Sequence, residues 1–262
     1  MPATTYSSLQ PEYARLIATM VIRPEKLAAA DSVAHKIVAR RARYEAVSKI
    51  TRVPWQVIGV IHAMECGLDF GAHLHNGDPL TARTVQVPKG RPVAGSPPFA
   101  WEDSAIDALR YDGLDKVTDW SPEHTAYVLE GYNGWGVRKY HPEVLSAYLW
   151  SYSNHYTRGK YVRDGVWDPN AVSGQCGAMV LLSRVRALSA AAGTPPPADY
   201  VPTSPPPTKP SPAKVAGAAA ASAAAAGSVA VATGAPWWAI AFVIAAAAVV
   251  GLAIFIAIKR RD

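Results

Sequence analysis

WQVIGVIHAMECG, residues 55–67, is the stretch that decides the fold of this chain. Pro54 stands where the first turn of a helix tolerates a residue without a backbone N–H, and Gly67 favours the left-handed conformation that ends helices. Together with the apolar run between them, these signals predict one helix from Trp55 to Cys66. In helical projection Glu65 falls inside the apolar stripe of this helix, at its last turn.

A carboxyl group on an apolar face loses part of its hydration, and this loss raises its pKa. A raised pKa lets a carboxylic acid donate a proton near neutral pH, as a general acid does. Glu65 is therefore our candidate for a catalytic acid. The pattern also fits a buried glutamate paired with an arginine or with a backbone donor.

The segment after this helix, residues 67–100, is rich in Gly and Pro and predicts a small β hairpin or an irregular loop, with a β-favouring run at Thr84–Val87. A second carboxylate is available here, because Asp78 lies in the Asn-Gly-Asp-Pro turn at 76–79. Asp69 is a nearer alternative. A hydroxyl such as that of Thr84 could orient a water molecule beside the acid.

A third segment, EGYNGWG at 130–136, has three glycines that allow a ligand to approach the backbone closely. Tyr132 and Trp135 offer flat apolar faces, and Asn133 offers a donor and an acceptor. Sugar rings present apolar faces and hydroxyl edges, so these three residues are candidate substrate-binding residues. Aromatic rings here also fit ordinary core packing.

Helical signals dominate residues 1–193, and they predict a mainly α fold with a small β hairpin. The predicted helices are an N-terminal helix from about Pro11 that Pro24 interrupts, and further helices over 25–48, 55–66, 101–110, 122–130 and 174–192.

Residues 194–262 differ sharply in composition from the first 193. Residues 194–235 are rich in Pro and Ala and predict a linker. Residues 236–258 are uncharged and long enough to cross a bilayer, with tryptophans at one end and the basic tail 259–262 at the other. We therefore predict a single inner-membrane anchor, with membrane lipid as a partner and residues 1–193 facing the periplasm and cell wall. Residues 213–235 leave a second, weakly apolar pass open.

The net charge of +6 is modest, and residues 1–193 have no block of Lys and Arg that would predict a nucleic-acid partner. A basic chain does suit work near an anionic wall or membrane. The two cysteines, Cys66 and Cys176, allow at most one disulfide, so the chain is not a disulfide-stapled scaffold.

The order of Glu65 at a helix end, Asp78 in a loop and Tyr132-Asn133-Gly134 further on resembles the lysozyme superfamily. The similarity is to bacterial and phage lytic transglycosylases, phage endolysins and goose-type lysozymes, and it covers about residues 45–180. It implies a lysozyme-like α+β fold and a glycosidase that cleaves peptidoglycan glycan strands without a cofactor. It also implies Glu65 as the acid and leaves Asp78 open as a water-positioning carboxylate.

Two other functions remain open at this point. His62 and Glu65 lie one turn apart and His73-Leu74-His75 follows, which is a partial pattern for a zinc-dependent wall peptidase. A thiol nucleophile at Cys66 would need His62 as its base. The second open function is non-catalytic: a membrane-tethered protein that binds the wall or acts like a holin.

Overall fold

The computed structural model of this chain describes residues 4–163 and 165–192. Within them the fold is mainly helical, with one small antiparallel sheet. The α-helices of these residues are Tyr6–Ala18 (α1), Pro24–Ala39 (α2), Arg41–Thr51 (α3), Trp55–Cys66 (α4), Trp101–Tyr111 (α5), Pro122–Asn133 (α6), Gly136–Tyr140 (α7), Ala147–Trp150 (α8) and Ala178–Ala192 (α9). The strands are Lys160–Arg163 (β1) and Val166–Asp168 (β2).

The predicted linker at 194–235, the membrane anchor at 236–258 and the basic tail at 259–262 lie outside the described residues. In residues 4–163 and 165–192, none of the helices combines the length and the apolar character that crossing a membrane requires.

Helix α4 has the predicted bounds, Trp55–Cys66, and it lies in the core. Val57, Ile58, Val60 and Ile61 are fully buried, and helices α2 and α3 pack against it. A helix that is apolar nearly all round must be surrounded by other elements. Gly67 ends it with φ 58°, so the chain turns sharply just after Glu65.

The helix boundaries correct the sequence-based ones in several places. Helix α1 begins at Tyr6 rather than at about Pro11, which lies inside it. The predicted helix 25–48 is two helices, since Arg40 leaves helical geometry between α2 and α3 without a Gly or Pro to mark the break. Helix α6 continues to Asn133, three residues beyond its predicted end at 130. Helix α9 begins at Ala178 rather than Gly174, because the carbonyl of Gly174 accepts a hydrogen bond from the Tyr152 hydroxyl and lies outside the helix.

Of the two alternatives predicted for residues 67–100, the irregular loop is confirmed, and the hairpin with a strand at Thr84–Val87 is wrong. Residues 67–100 form an irregular loop that contains one isolated bridge, between Ala72 and Pro79. The amides of Val85 and Gln86 donate to the Asp78 carboxylate, so a side chain takes the place of a partner strand. The two-stranded sheet lies later in the chain, where Tyr161 of β1 pairs with Trp167 of β2.

Gly177 lies at a close contact between two backbones. A Cβ atom there would lie 2.5 Å from the carbonyl oxygen of Leu149 and 2.6 Å from the amide nitrogen of Ser151. The Gly177 amide also donates to the Ser151 carbonyl at 3.0 Å. This contact holds the end of α8 against the chain that enters α9, and α8 carries Tyr148.

Candidate active site

Glu65 lies in the last turn of α4, and its side chain is partly buried with some access to solvent. Its Oε1 accepts a hydrogen bond of 3.0 Å from the Tyr148 hydroxyl. Burial raises the pKa of Glu65 to about 7; the hydrogen bond from Tyr148 opposes this rise, and the negative charge of Asp112 adds to it. The carboxyl can therefore hold or release a proton near neutral pH.

Two tyrosines share the surroundings of Glu65. Burial and the charge of Glu65 raise the pKa of both Tyr132 and Tyr148 well above the usual value. Both hydroxyls therefore stay protonated and can act as donors. Tyr132, a predicted substrate-binding residue, comes from the last turn of α6, whereas Tyr148 comes from α8.

A buried ion-pair cluster fixes the helix that carries Tyr132. The Arg138 guanidinium donates to both oxygens of Glu130, at 3.0 and 2.9 Å, and to both oxygens of Glu12, at 3.0 and 3.1 Å. The Tyr13 hydroxyl also donates to Glu130. These contacts tie α6 to α1 and to α7. Because Glu130 and Tyr132 are two residues apart on α6, they face different sides of it.

Asp112 is the carboxylate that the sequence analysis missed. It is the exposed residue that follows α5, and its charge acts on both Glu65 and Tyr132. Although the residue as a whole is exposed, partial desolvation of its carboxyl group raises the pKa of Asp112, and the positive charge of Arg91 opposes the rise. An aspartate after a helix has no distinctive sequence signal, since packing alone brings it towards Glu65.

Asp78, the predicted second carboxylate, is buried in the loop 67–100. Its Oδ2 accepts hydrogen bonds from the amides of Val85 and Gln86, at 2.8 and 3.2 Å, and from the Asn76 side chain at 3.0 Å. These contacts favour a structural role for Asp78. The alternative, Asp69, is exposed and accepts a hydrogen bond from the amide of Gly71.

Thr84 is likewise engaged within the loop. Its hydroxyl donates to the carbonyl of Pro88 and accepts from the amide of Arg91 at 2.8 Å. The side chain is buried. Thr84 therefore closes the loop on itself, and these bonds occupy the hydroxyl that was expected to orient water.

The other two predicted substrate-binding residues occupy different surroundings. Asn133 is exposed at the end of α6. Trp135 is partly buried: its ring lies 5.2 Å from that of Tyr127, and a Cβ atom on Gly131 would lie 3.2 Å from it. Packing against neighbouring residues thus accounts for much of the Trp135 surface.

The histidines of the zinc interpretation have separate partners. His62 lies 3.0 Å from the Tyr44 hydroxyl and 3.0 Å from the Asp69 carbonyl, and burial lowers its pKa to about 4. His73 bonds with Ser104, and His75 pairs with Asp107 at 2.8 Å. Within residues 4–163 and 165–192, no three His, Cys, Asp or Glu side chains are grouped as metal ligands.

The cysteines are free and buried, so the one disulfide that the sequence allows, between Cys66 and Cys176, is not formed. The Cys66 thiol donates to the carbonyl of His73, and burial raises its pKa. A thiol with a raised pKa is a poor nucleophile, because the thiolate is the reactive form.

Comparison with protein-family models, curated protein sequences and solved structures gives no match to this chain. The residues around Glu65 are therefore the basis for proposing a function.

Proposed function

We propose that the chain is a lysozyme-like glycosidase that cleaves the glycan strands of peptidoglycan. Its expected target is the β-1,4 bond between N-acetylmuramic acid and N-acetylglucosamine. The observation that carries the proposal is the partly buried Glu65 carboxyl, with a pKa near 7, at the end of α4. Host lysis by a phage is the biological setting that fits this activity.

In this mechanism Glu65 donates its proton to the glycosidic oxygen as the bond to the anomeric carbon breaks. General acid catalysis of this kind contributes about 10²–10⁴-fold to the rate. Asp112, when ionised, would stabilise the positive charge that develops on the sugar ring. Water or the sugar's own 6-hydroxyl then attacks the anomeric carbon and gives its proton to the Glu65 carboxylate, which restores the acid. The product has a reducing end if water attacks and a 1,6-anhydro end if the 6-hydroxyl attacks.

We also propose that residues 236–258 anchor the enzyme in the inner membrane as a single span. The uncharged length, the tryptophans at one end and the basic residues 259–261 at the other support this placement. Residues 1–193 would face the wall, with residues 194–235 as a spacer.

The test is mass spectrometry of purified peptidoglycan after digestion with the full-length protein. Disaccharide fragments with reducing or 1,6-anhydro ends are the expected products. Cleaved peptide stems that disappear with a chelator would instead indicate the zinc peptidase. Intact glycan bound to the protein would indicate a non-catalytic binder.

Glu65→Gln is the decisive variant, because it removes the transferable proton and keeps the side-chain shape. We expect a loss of about 10²–10⁴-fold in cleavage rate. Glu25→Gln, which makes the same change at an exposed position of α2, is the matched control and should retain full activity. A folded Glu65→Gln protein with wild-type activity would overturn the assignment.

A further inference from the structure

Residues 84–91, which we call the Val87 loop, expose aliphatic side chains to solvent. Val85 is 65% exposed and Val87 is 85% exposed, and Val93, two residues beyond the loop, is 66% exposed. Single exposed apolar residues are common on protein surfaces, but three on one short segment are unusual enough to require an explanation.

The loop is held in this shape by its own polar groups. The Thr84 amide donates to the Arg91 carbonyl, and the Gly90 amide donates to the Thr84 carbonyl, both at 2.8 Å. The bonds from Thr84 and Asp78 described above bind the amides of Arg91, Val85 and Gln86. The valines therefore cannot turn inward without breaking these bonds.

The same bonds lower the cost of moving the loop out of water. A backbone N–H that enters an apolar medium without a partner loses several kcal/mol. Five of the seven amides of the loop already have partners inside the protein, and Pro88 has no N–H to satisfy. The other two, those of Val87 and Lys89 at the tip, are left for water or for the lipid headgroups.

The charged side chains of the loop and of the sequence next to it are basic, although the carboxylates of Asp78 and Asp107 contact the loop from outside that stretch. Between Asp78 and Glu102 the sequence contains Arg83, Lys89 and Arg91 but no acidic residue. Arg83 donates to the Gly95 carbonyl, and Arg91 pairs with Asp107 at 2.9 Å. Lys89 is exposed at the tip between Val87 and the end of the loop. The tip thus combines aliphatic groups with a cation.

We propose that the Val87 loop docks on the surface of an anionic lipid bilayer. Val85 and Val87 enter the boundary of the acyl chains, and Lys89 contacts the headgroup phosphates. Lipid fits better than a glycan strand, because sugars stack on aromatic rings and residues 84–91 contain none. This contact is independent of the proposed catalysis at Glu65.

The test places an environment-sensitive fluorophore (NBD) on a cysteine introduced by Val87→Cys in the full-length protein. Cys66 and Cys176 are buried, and wild-type protein measures any labelling of them. Vesicles contain either phosphatidylglycerol and phosphatidylcholine in equal amounts or phosphatidylcholine alone. Val172→Cys, at a valine 59% exposed outside the loop, is the matched control.

We expect the probe at position 87 to shift to the blue and to brighten about twofold or more with the anionic vesicles, as it does on leaving water. The probe at position 172 should not respond, and Lys89→Glu should reduce the response at 87. Because each probe reports only its own position, attachment of the chain elsewhere does not mimic this result.

Three outcomes would overturn the proposal. The first is a probe at 87 that stays in a water-like environment although the protein sediments with anionic vesicles. The second is an equal response at positions 87 and 172, which indicates adsorption without orientation. The third is a response that grows with protein concentration in the absence of lipid, which would assign the loop to self-association.

Discussion

Tyr148 and Asp112 act on the Glu65 carboxyl in opposite directions. The hydrogen bond from Tyr148 favours the carboxylate and lowers the pKa of Glu65, whereas the charge of Asp112 raises it. A general acid works only while protonated, so we expect activity to fall as the pH rises through about 7.

The first prediction follows from these opposite effects. Tyr148→Phe should move the alkaline limb of the kcat/KM profile to higher pH, and Asp112→Asn should move it to lower pH, each by up to about one unit. The measurement is the pH dependence of peptidoglycan cleavage. A limb that stays in place in both variants would show that another group controls it.

The second prediction concerns stability. The pKa of Glu65 in the folded protein is about 7 against 4.5 for the ordinary side chain, so the folded state holds a proton that the unfolded state has released. Its contribution is fully present below pH 4.5 and is lost as the pH rises through about 7. At about pH 8 the free energy of unfolding of Glu65→Gln should therefore exceed that of wild type by on the order of 2 kcal/mol. Near pH 4 the two proteins should differ little.

Urea denaturation at the two pH values measures this difference. Glu25→Gln, the exposed control, should show the same stability as wild type at both. A Glu65→Gln protein that is less stable than wild type at about pH 8 would contradict the position of Glu65 on the apolar face.

At the residue scale, the apolar surroundings of Glu65 and its raised pKa could be predicted from sequence, because its place on the helix depends on helical periodicity alone. The hydrogen-bond partners of Asp78 and Thr84 could not be predicted, because both types of residue are common in turns and in active sites. Packing between distant parts of the chain brings Asp112 near enough for its charge to act on Glu65, and nothing local in the sequence marks it.

The third prediction concerns the ion pairs that join α1, α6 and α7. Arg138→Gln removes the charge that compensates Glu130, whose side chain is only 4% exposed. Leaving one partner of a buried pair uncompensated typically costs about 3–5 kcal/mol. Arg41→Gln, which breaks the exposed pair with Glu45, should cost at most about 1 kcal/mol. Thermal unfolding compares the two, and equal losses would contradict a special role for Arg138.

The fourth prediction separates structure from catalysis at Asp78. Asp78→Asn weakens the acceptor for the loop amides, so we expect faster proteolysis within residues 84–91 and a loss of about 1–3 kcal/mol in stability. The rate of cleavage per folded molecule should fall less than tenfold. Limited proteolysis and the peptidoglycan assay measure both effects. A loss of 100-fold or more in a protein with an intact loop would restore Asp78 as a catalytic residue.

The elements also differ in how well the sequence predicts them. Helix α4, with Pro54 and Gly67 at its ends, and helix α5 agree with prediction within a residue. The hairpin of β1 and β2 could have been found, since Asp164-Gly165 is a strong turn signal and the short runs on either side of it consist largely of Tyr, Val and Trp, which favour strands. At Thr84–Val87 the residues favour β structure, but a carboxylate there satisfies the amides that a strand would pair.

At the scale of the whole molecule, the fifth prediction concerns orientation at the membrane. Protease added to spheroplasts that express the chain should digest residues 1–193 and leave the segment 236–262 protected. The positive residues 259–261 favour the cytoplasmic side, which is the physical reason for this orientation. Protection of residues 1–193 would mean the opposite orientation, and the enzyme would then need another route to the wall.

The change in composition after residue 193 could be recognised from sequence because Pro-rich and uncharged stretches differ so strongly from the aromatic first part. How the helices pack could not, because contacts such as those between α1 and α6 join residues more than a hundred positions apart.

The backbone contact at Gly177 has a consequence for how the chain tolerates variation. Any side chain there would strike the main chain of Leu149 and Ser151, and main-chain atoms, unlike flexible side chains, have little freedom to move aside. A library randomised at this codon and selected for muralytic activity should therefore return glycine almost alone. Randomising the codon for Gly165, where an added Cβ meets nothing within 4 Å, should return asparagine and aspartate as well, since these residues tolerate its φ of 67°.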